Sequence, residues 1–389
     1  MPLRPSHIHE ILNSKRDDFI AFNQETWQQL QDYRSVLENL SGEGEADVRE
    51  RSAKHLGNLG ARLLEPLDRA QHGIIPFNLV WQSREQSLGW VRQRLTGITT
   101  FAVDGSQIYP GKDLSIPIAL VQIGWFENPH LPTGEYEKEI ALDVMTPTDL
   151  QAGNSGDPVD RRVNMRRFQM ETERLTDYIK TNARAKDCLV FLDGSLVATF
   201  AEAFDPKSRQ FYVECLLDLL HASQSHQVPL VAYIDTSYAQ DLTTMLRTLY
   251  DLPESQAIHD AQLVNKAMEW GDRTPLFQCQ RSGILADYED QSTQIGFTYL
   301  KTNRDSYPAR LEIPIWVYEA GLLDRVLDWV RGEVIIGSGY PYVIETADQT
   351  AVLQADDRQA FFRILQDWAD QEELNLRFSR KMVSKVRRR

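Results

Sequence analysis

The sequence predicts an α/β protein in which a mixed β-sheet is flanked by helices and preceded by an N-terminal helical arm. Apolar residues recur at helical spacing from residue 8 to about residue 71. Three β-rich runs then follow one another closely between residues 98 and 147, and strands alternate with helices up to residue 237. We therefore expect an antiparallel meander that continues into parallel strands.

The composition excludes several classes of protein. The chain has 389 residues, of which 42% are hydrophobic and 25% charged, as in ordinary globular proteins and unlike disordered or fibrous ones. Cys188, Cys215 and Cys279 lie far apart and form no CxxC motif, so we expect neither a disulfide framework nor a thiolate metal site. The longest apolar run, residues 114–126, is too short to span a bilayer. These features favour a cytoplasmic protein with no membrane segment.

The charge distribution limits how the protein could contact nucleic acid. A formal net charge of −14 argues against a surface that is basic all round, but it leaves room for a local basic groove. Seven of the last thirteen residues are basic, and residues 371–389 are predicted to form a basic C-terminal tail. Such a tail is either a solvated end or a contact for nucleic acid or a partner.

The first 95 residues are predicted to form the helical arm. Two sets of apolar residues at helical spacing are separated by SGEGE at 41–45. The sets are Phe19, Leu30, Tyr33, Leu37 and Leu40, followed by Leu56, Leu59, Leu63 and Leu67. Because the arm offers aliphatic stripes and no clustered polar groups, we expect it to serve packing or dimerisation.

Residues 96–370 are predicted to form the main domain. The expected strands are 98–106, 114–126, 135–147, 188–195, 228–237, 293–301, 309–317 and 341–347, and the expected helices are 161–180, 211–221, 322–330 and 358–368. Three hairpin-linked strands followed by helix, strand, helix and strand is the order of the ribonuclease H-like sheet. Right-handed crossovers then place the fourth strand parallel beside the first.

A repeated tripeptide ends two of these strands. Asp104-Gly105-Ser106 and Asp193-Gly194-Ser195 each follow an apolar run. If the strands are parallel neighbours about 4.8 Å apart, both aspartates face one crevice at the carboxyl edge of the sheet. Carboxylates that close repel unless a cation neutralises them, and oxygen ligands favour Mg²⁺ or Mn²⁺. Two such ions about 4 Å apart would align water for attack on a phosphodiester. Alternatively, Asp-Gly only makes a turn.

A third acidic ligand is expected from the helix between the two strands. Glu171 shares the apolar face that packs on the sheet, whereas Glu173 points the other way. A carboxylate on a packing face is costly unless it is paired or bound to metal, so Glu171 is the better candidate. The alternative is that Glu171 forms an ion pair with Arg167 or Arg174.

With these motifs the chain resembles the NurA family of DNA-repair nucleases between Leu95 and Asp367. The resemblance depends on AVDGSQ at 102–107, RRFQMETE at 166–173, FLDGSL at 191–196 and GYPYVIETAD at 339–348. It implies a ribonuclease H-like fold and a manganese-dependent 5′-to-3′ exonuclease with endonuclease activity on single strands, acting in DNA end processing and double-strand break repair. It also implies a ring-like homodimer and a HerA-type hexameric ATPase as partner.

The resemblance carries over to individual residues. Asp104, Glu171 and Asp193 match the family's metal-binding acids, and Tyr340 matches an active-site tyrosine that would orient water or stack on the terminal base. Asp348 stands where the family commonly has histidine, which keeps metal-ligating capacity and loses an imidazole. We expect metal-assisted hydrolysis in which Asp104 and Asp193 bridge or flank two Mn²⁺ or Mg²⁺ ions and Glu171 and Asp348 complete their shells.

The DNA backbone is expected to contact Lys301, Arg304 and Arg310, although each could be ordinary surface charge and Arg310 could pair with Glu312. Many relatives carry lysine after the fifth strand, where this chain has Asp235 and Ser237. This substitution removes a plausible phosphate contact.

Two other functions compete with the nuclease. The first is a catalytically inactive NurA-like scaffold that binds a HerA-type ATPase or DNA ends. The second is an actin-like phosphotransferase, which shares the sheet order but needs a second glycine-rich phosphate loop that the sequence lacks. HExxH, GxSxG and Walker A motifs are also missing, which excludes zincins, α/β-hydrolases and P-loop enzymes.

Overall fold

The computed structural model describes residues 4–377 except 41, 43, 44, 56, 112, 113 and 152–157. The chain divides into two compact units. Unit 1 comprises residues 1–80, 234–285 and 295–311, and unit 2 comprises residues 81–233, 286–294 and 312–389. This division differs from the predicted boundaries, because the N-terminal residues share a unit with two later segments. Most of the predicted basic tail, residues 378–389, lies outside the described residues.

The described residues form nine β-strands. They are β1 (Gly60–Leu63), β2 (Thr99–Ile108), β3 (Ala119–Asn128), β4 (Glu137–Met145), β5 (Cys188–Asp193), β6 (Leu230–Ile234), β7 (Phe277–Gln280), β8 (Ile295–Leu300) and β9 (Ala309–Pro314). Both parallel and antiparallel pairs occur, so the sheet is mixed as expected.

The same part of the chain forms thirteen α-helices. They are α1 (Pro5–Ser14), α2 (Arg16–Leu40), α3 (Glu45–Lys54), α4 (Arg84–Leu95), α5 (Pro147–Gln151), α6 (Val159–Thr181), α7 (Pro206–His226), α8 (Asp241–Tyr250), α9 (Asp260–Asn265), α10 (Ile315–Glu319), α11 (Leu323–Ile336), α12 (Tyr342–Ala351) and α13 (Ala355–Gln371). Over the described ranges, none of these helices has the length and apolar character needed to cross a membrane.

The sheet of unit 2 confirms the predicted strand arrangement. Strands β2, β3 and β4 form an antiparallel meander, β5 pairs in parallel with β2, and β6 pairs in parallel with β5. The strand order of this unit is β9-β6-β5-β2-β3-β4, and β9 contributes only its last three residues to it. Strand β5 is buried through residues 188–192, as its continuous apolar sequence predicts for a central parallel strand.

Two helices of unit 2 hold the site against this sheet. Helix α6 presents the predicted face, in which Leu175 is fully buried and the ring of Tyr178 stacks on Phe101 with centroids 3.7 Å apart. Helix α12 approaches β3 closely because Gly124 has no side chain, and a Cβ there would lie 2.6 Å from the Ala351 nitrogen. Glycine thus sets how near α12 comes to the sheet.

One element of unit 2 was predicted wrongly. Residues 341–347 were expected to form a strand, but Tyr342–Ala351 is helical. The local run Tyr-Val-Ile favours a strand by propensity. The buried residues Val343, Ile344, Ala347 and Ala351 nevertheless recur at helical spacing, and their packing decides the outcome.

Unit 1 contains α1, α2, α3, α8 and α9, and its strand order is β1-β7-β8-β9. The predicted helical run through Leu59 and Leu63 is wrong, because Gly60–Leu63 forms β1 and pairs antiparallel with β7. Leu56 of the same run lies outside the described residues. The apolar face of α2 is buried only from Leu30 onward. Before that point several large apolar side chains are exposed: Ile8, Ile11, Leu12, Phe19, Ile20, Phe22 and Trp27.

Candidate active site

Parallel pairing of β2 and β5 brings the two DGS motifs together. Val103 pairs with Leu192, so Asp104 and Asp193 are the next residues of two neighbouring strands. The Asp193 carboxylate acts electrostatically on Asp104 and raises its pKa. Asp193 ends β5 as expected, but Asp104 does not end β2, because that strand continues to Ile108 through its antiparallel pairing with β3. The two aspartates meet where the parallel pairing of β2 and β5 stops.

A third aspartate, Asp348, contacts Asp104. The carboxyl groups of Asp104 and Asp348 are in hydrogen-bonding contact, and Asp104 Oδ1 also accepts from the Gly105 N–H at 2.7 Å. Burial, the contact with Asp348 and the charge of Asp193 together raise the pKa of Asp104 to about 6 despite the Gly105 bond. Such a pair holds a proton more tightly than an isolated aspartate does.

Glu171 reaches the same cluster from α6. Its side chain is buried, and burial raises its pKa to about 8, with Asp104 and Asp193 adding to the increase and Arg167 opposing it. Arg167 Nη1 donates to Glu171 Oε1 at 2.9 Å and to the Gly105 carbonyl at 3.3 Å. The ion pair foreseen as the alternative role of Glu171 is therefore present, and it lies within the acidic cluster.

Gly105 makes the approach of Glu171 possible. A Cβ at this position would lie 2.3 Å from Glu171 Oε1 and 2.7 Å from Arg167 Cγ, which no side chain could tolerate without a shift. The glycine of the first DGS motif is thus required by close contact with α6.

Glu173 has a different environment. It accepts from Gln169 Nε2 at 2.8 Å, lies 3.8 Å from Arg166, and its side chain is 55% exposed. The helical face therefore separates the two glutamates as the sequence predicted, and Glu171 is the one that interacts with Asp104 and Asp193.

Tyr340 closes the cluster beside Asp193. Its hydroxyl donates to Asp193 Oδ1 at 2.9 Å, and its ring lies edge-on to Tyr233 at 5.1 Å between centroids. The preceding turn is tight, because a Cβ on Gly337 would lie 2.0 Å from the Tyr340 carbonyl oxygen. Tyr340 is thereby held as a hydrogen-bond donor at the carboxylate.

The two motif serines form hydrogen bonds to distant parts of the chain, which the sequence did not predict. Ser106 Oγ accepts from the Leu353 N–H at 3.2 Å, directly after α12. Ser195 Oγ donates to Glu312 Oε2 at 2.8 Å, and the same oxygen accepts from the Leu196 N–H. Glu312 is buried, and an acid between apolar residues of a strand was the only sequence signal for this role.

The three cations expected to contact DNA all belong to unit 1. Lys301 is buried and its Nζ donates to Asn265 Oδ1 and the Ser306 carbonyl, each at 2.5 Å. Arg310 is 1% exposed and lies 2.9 Å from Asp241, and its alternative pairing with Glu312 stays a prediction. Arg304 is exposed. Direct DNA contact stays a prediction, and these environments favour Arg304 for it.

The acidic cluster fits a divalent cation in chemistry and in charge. Asp104, Glu171, Asp193 and Asp348 supply the oxygen donors that Mg²⁺ and Mn²⁺ prefer. A cation would relieve the repulsion that raises the pKa of Asp104 and Glu171. Among the described residues, however, no three His, Cys, Asp or Glu side chains are already gathered in a metal-binding arrangement. Glu171 instead faces Arg167.

Comparison with known families identifies the chain. The NurA domain profile matches residues 98–353, which is more than half of the sequence and contains all eight candidate site residues. The protein belongs to the NurA family. No curated protein gives a significant match.

Several solved structures are similar to this chain at low identity. The crystal structure of NurA with manganese has 10% identity and a TM-score of 0.41, covering 75% of this chain and 94% of that one. NurA bound to dAMP and manganese has 10% identity and a TM-score of 0.37, covering 71% and 91%. The catalytic domain of human endonuclease V has 12% identity and a TM-score of 0.33, covering 72% and 96%. The family assignment depends on the profile match.

Proposed function

We propose that this NurA-family protein is a metal-dependent deoxyribonuclease, a 5′-to-3′ exonuclease with single-strand endonuclease activity that acts in DNA end processing and double-strand break repair. The observation that carries the proposal is the convergence of Asp104 and Asp193 where the parallel pairing of β2 and β5 ends, with Asp348 in contact with Asp104. Membership of the NurA family supports it. The strand order of unit 2 supports a ribonuclease H-like fold.

The proposed cofactor is Mn²⁺, or Mg²⁺, as two ions held by Asp104, Glu171, Asp193 and Asp348. Bound there, the metal would activate water and neutralise charge on the scissile phosphate. NurA crystal structures with manganese support this choice. Asp348 offers carboxylate oxygens where the family commonly has histidine, and its contact with Asp104 supports its inclusion in this set.

The chain's own groups position the reactants. Tyr340 orients the Asp193 carboxylate by its hydroxyl hydrogen bond and presents an aromatic ring on which a terminal base can stack. Arg167 donates to both Glu171 and the Gly105 carbonyl, which holds α6 against β2 beside Asp104. Burial and the neighbouring acids raise the pKa of Asp104, which favours its protonated form.

The proposed partners are DNA, a HerA-type hexameric ATPase and a second copy of the chain, all in the cytoplasm. The exposed apolar side chains of α1 and of the first half of α2 support a dimerisation role for this arm. Ile11, Phe19 and Trp27 are each more than half exposed, which is unusual for residues of this size.

A cleavage assay with 5′-labelled single-stranded DNA and Mn²⁺ tests the proposal. The wild type should release short products, and Asp104→Asn and Asp193→Asn should each lose about 10³-fold in rate or more. Asp187→Asn is the matched control, because Asp187 is an exposed acid directly before β5, at the opposite end of the strand from Asp193. Full activity in Asp104→Asn would remove the assignment.

An inactive scaffold is the alternative function. The pairing of Glu171 with Arg167, and the lack of three gathered metal ligands among the described residues, favour it. Wild-type protein that binds DNA ends or a HerA-type ATPase but yields no product with either Mn²⁺ or Mg²⁺ would establish the scaffold.

A further inference from the structure

Helix α12 carries Asp348 and begins two residues after Tyr340, so the start of this helix sets where both side chains lie. The first N–H groups of a helix have no intrahelical partner and need another acceptor. Residue Pro341 precedes α12, and no side-chain cap comes from this position. The acceptor is supplied from another helix, because Glu333 Oε2 of α11 accepts from the Val343 N–H at 2.9 Å.

The same carboxylate connects α12 to the strand of Asp104. Glu333 Oε1 accepts from Thr100 Oγ1 of β2 at 2.7 Å. Thr100 lies on β2 four residues before Asp104, and Glu333 is fully buried. One buried side chain therefore joins the strand that carries Asp104 to the helix that carries Asp348. A negative charge at the start of α12 also interacts favourably with the helix dipole.

His130 compensates the buried charge of Glu333. Its Nδ1 lies 2.7 Å from the Ile98 carbonyl oxygen, which can only accept, so Nδ1 carries a proton. Its Nε2 lies 3.2 Å from Glu333 Oε1, so a protonated ring would form an ion pair with this carboxylate. Burial lowers the pKa of His130, but Glu333 outweighs this effect and the pKa is raised.

The opposite end of α12 is fixed independently. Ser106 Oγ accepts from the Leu353 N–H, and Gln122 Nε2 donates to the Ala351 carbonyl at 2.8 Å. Loss of the Glu333 contact would therefore release the first turn and the preceding Tyr340, while the last turn stays anchored. A side chain can lose its catalytic geometry through a shift of about 1 Å.

We propose that Glu333, together with His130, is a positioning residue for cleavage: it holds the first turn of α12 so that Tyr340 and Asp348 stay beside Asp193 and Asp104. The consequence for cleavage rests on the proposed nuclease function. The hydrogen bond between Glu333 and the Val343 N–H does not depend on that function, and it can be tested on the metal-free protein.

Hydrogen exchange of the Val343 amide reads the contact directly. In Glu333→Met, which keeps the size of the side chain but loses the acceptor, Val343 should exchange at least about tenfold faster. Amides of β5 should be unchanged. Glu333→Gln keeps one acceptor oxygen and should leave Val343 largely protected. Equal Val343 exchange in Glu333→Met and wild type would overturn the proposal.

Steady-state kinetics of DNA cleavage then distinguish a positioning role of Glu333 from an effect on stability alone. Glu333→Met should lower kcat for DNA cleavage at least about tenfold with KM within about twofold, and Glu333→Gln should restore most of kcat. Asp328→Asn is the matched control, because Asp328 lies on α11 but pairs with Arg331 and Arg94. It should keep wild-type kcat. Faster exchange at Val343 with unchanged kcat would refute the positioning role. Inactive wild type would instead refute the nuclease assignment.

Discussion

Each unit contains a group of carboxylates, and the two groups differ in burial and in what surrounds them. Asp241 and Asp260 of unit 1 are buried, whereas in unit 2 only Glu171 is buried and both Asp193 and Asp348 are exposed. In unit 1, Asp241 pairs with Arg281 and Arg310, and these arginines lower the pKa of Asp241 against the effect of burial. Asp260 beside it has a raised pKa from burial and from Asp241, but it accepts from the N–H groups of Leu242 and Thr243. This group is compensated by the protein itself.

In unit 2 the effects of burial and of neighbouring acids on the carboxylate pKa values exceed the effect of the nearby arginine. Burial raises the pKa of Asp104 to about 6 and that of Glu171 to about 8, and Arg167 does not offset the burial and the neighbouring acids. Carboxylates whose charge is neutralised by arginines stabilise a fold. Carboxylates that repel one another favour the binding of an external cation. The comparison thus separates acids that the protein's own arginines compensate from acids that we propose to bind a metal.

The largest expected effect is on stability. Asp241→Asn should lower the free energy of unfolding by about 3–5 kcal/mol, because two buried arginines lose their counter-charge. Asp104→Asn should leave stability at pH 8 unchanged or raise it, because it removes a buried negative charge. Urea denaturation at pH 8 without metal measures both. Equal losses in the two variants would erase the distinction between the two groups.

Cleavage should show the second largest effect. Glu171→Gln should lose about 100-fold in kcat (~2.7 kcal/mol) if its charge serves the metal. Glu173→Gln, the matched change two residues along α6, should stay within about twofold because this side chain is half exposed and bonded to Gln169. The labelled-DNA assay compares them. An equal loss in both would place Glu171 among the structural acids.

The sequence could predict that Asp104 and Asp193 lie on neighbouring parallel strands, because that prediction depends on local sequence patterns. Apolar runs mark the strands, and the handedness of crossovers orders them. The choice of Glu171 over Glu173 needed only the helical period. These predictions depend on neighbours in sequence or on general rules of chain topology.

Long-range partners could not be predicted. Arg310 pairs with Asp241, and Ser106 binds the N–H of Leu353 at a separation of 247 residues. No periodicity encodes such contacts, so Arg310 resembled a DNA contact and the motif serines had no explanation. Helix α12 was missed because its β-branched first turn outweighed the helical spacing of its buried residues.

A smaller effect is expected from pH and metal. Asp104 and Glu171 hold protons in the folded state that they release when unfolded, so metal-free stability should fall as pH rises from about 4.5 to 8. Mn²⁺ binds the ionised carboxylates, so it should raise the free energy of unfolding by about 1–2 kcal/mol at pH 8 and much less at pH 5. Thermal unfolding with and without Mn²⁺ measures this difference.

The double variant Asp104→Asn with Glu171→Gln is the control for this experiment. It should lose most of the Mn²⁺ response and flatten the metal-free pH profile between 4.5 and 8. A response to Mn²⁺ that persists in the double variant would show that the metal stabilises the protein elsewhere.

The smallest expected effect is on DNA binding, and it concerns the basic side chains of unit 1. Arg310 and Lys301 are buried and bonded within the protein, whereas Arg304 is exposed in the same segment. Arg304→Ala should weaken single-stranded DNA binding about two- to fivefold and reduce the salt dependence by about one phosphate contact. Arg62→Ala, an exposed arginine of β1, is the control. Fluorescence anisotropy at several salt concentrations measures both, and equal weakening in the two variants would show that Arg304 contributes only general charge.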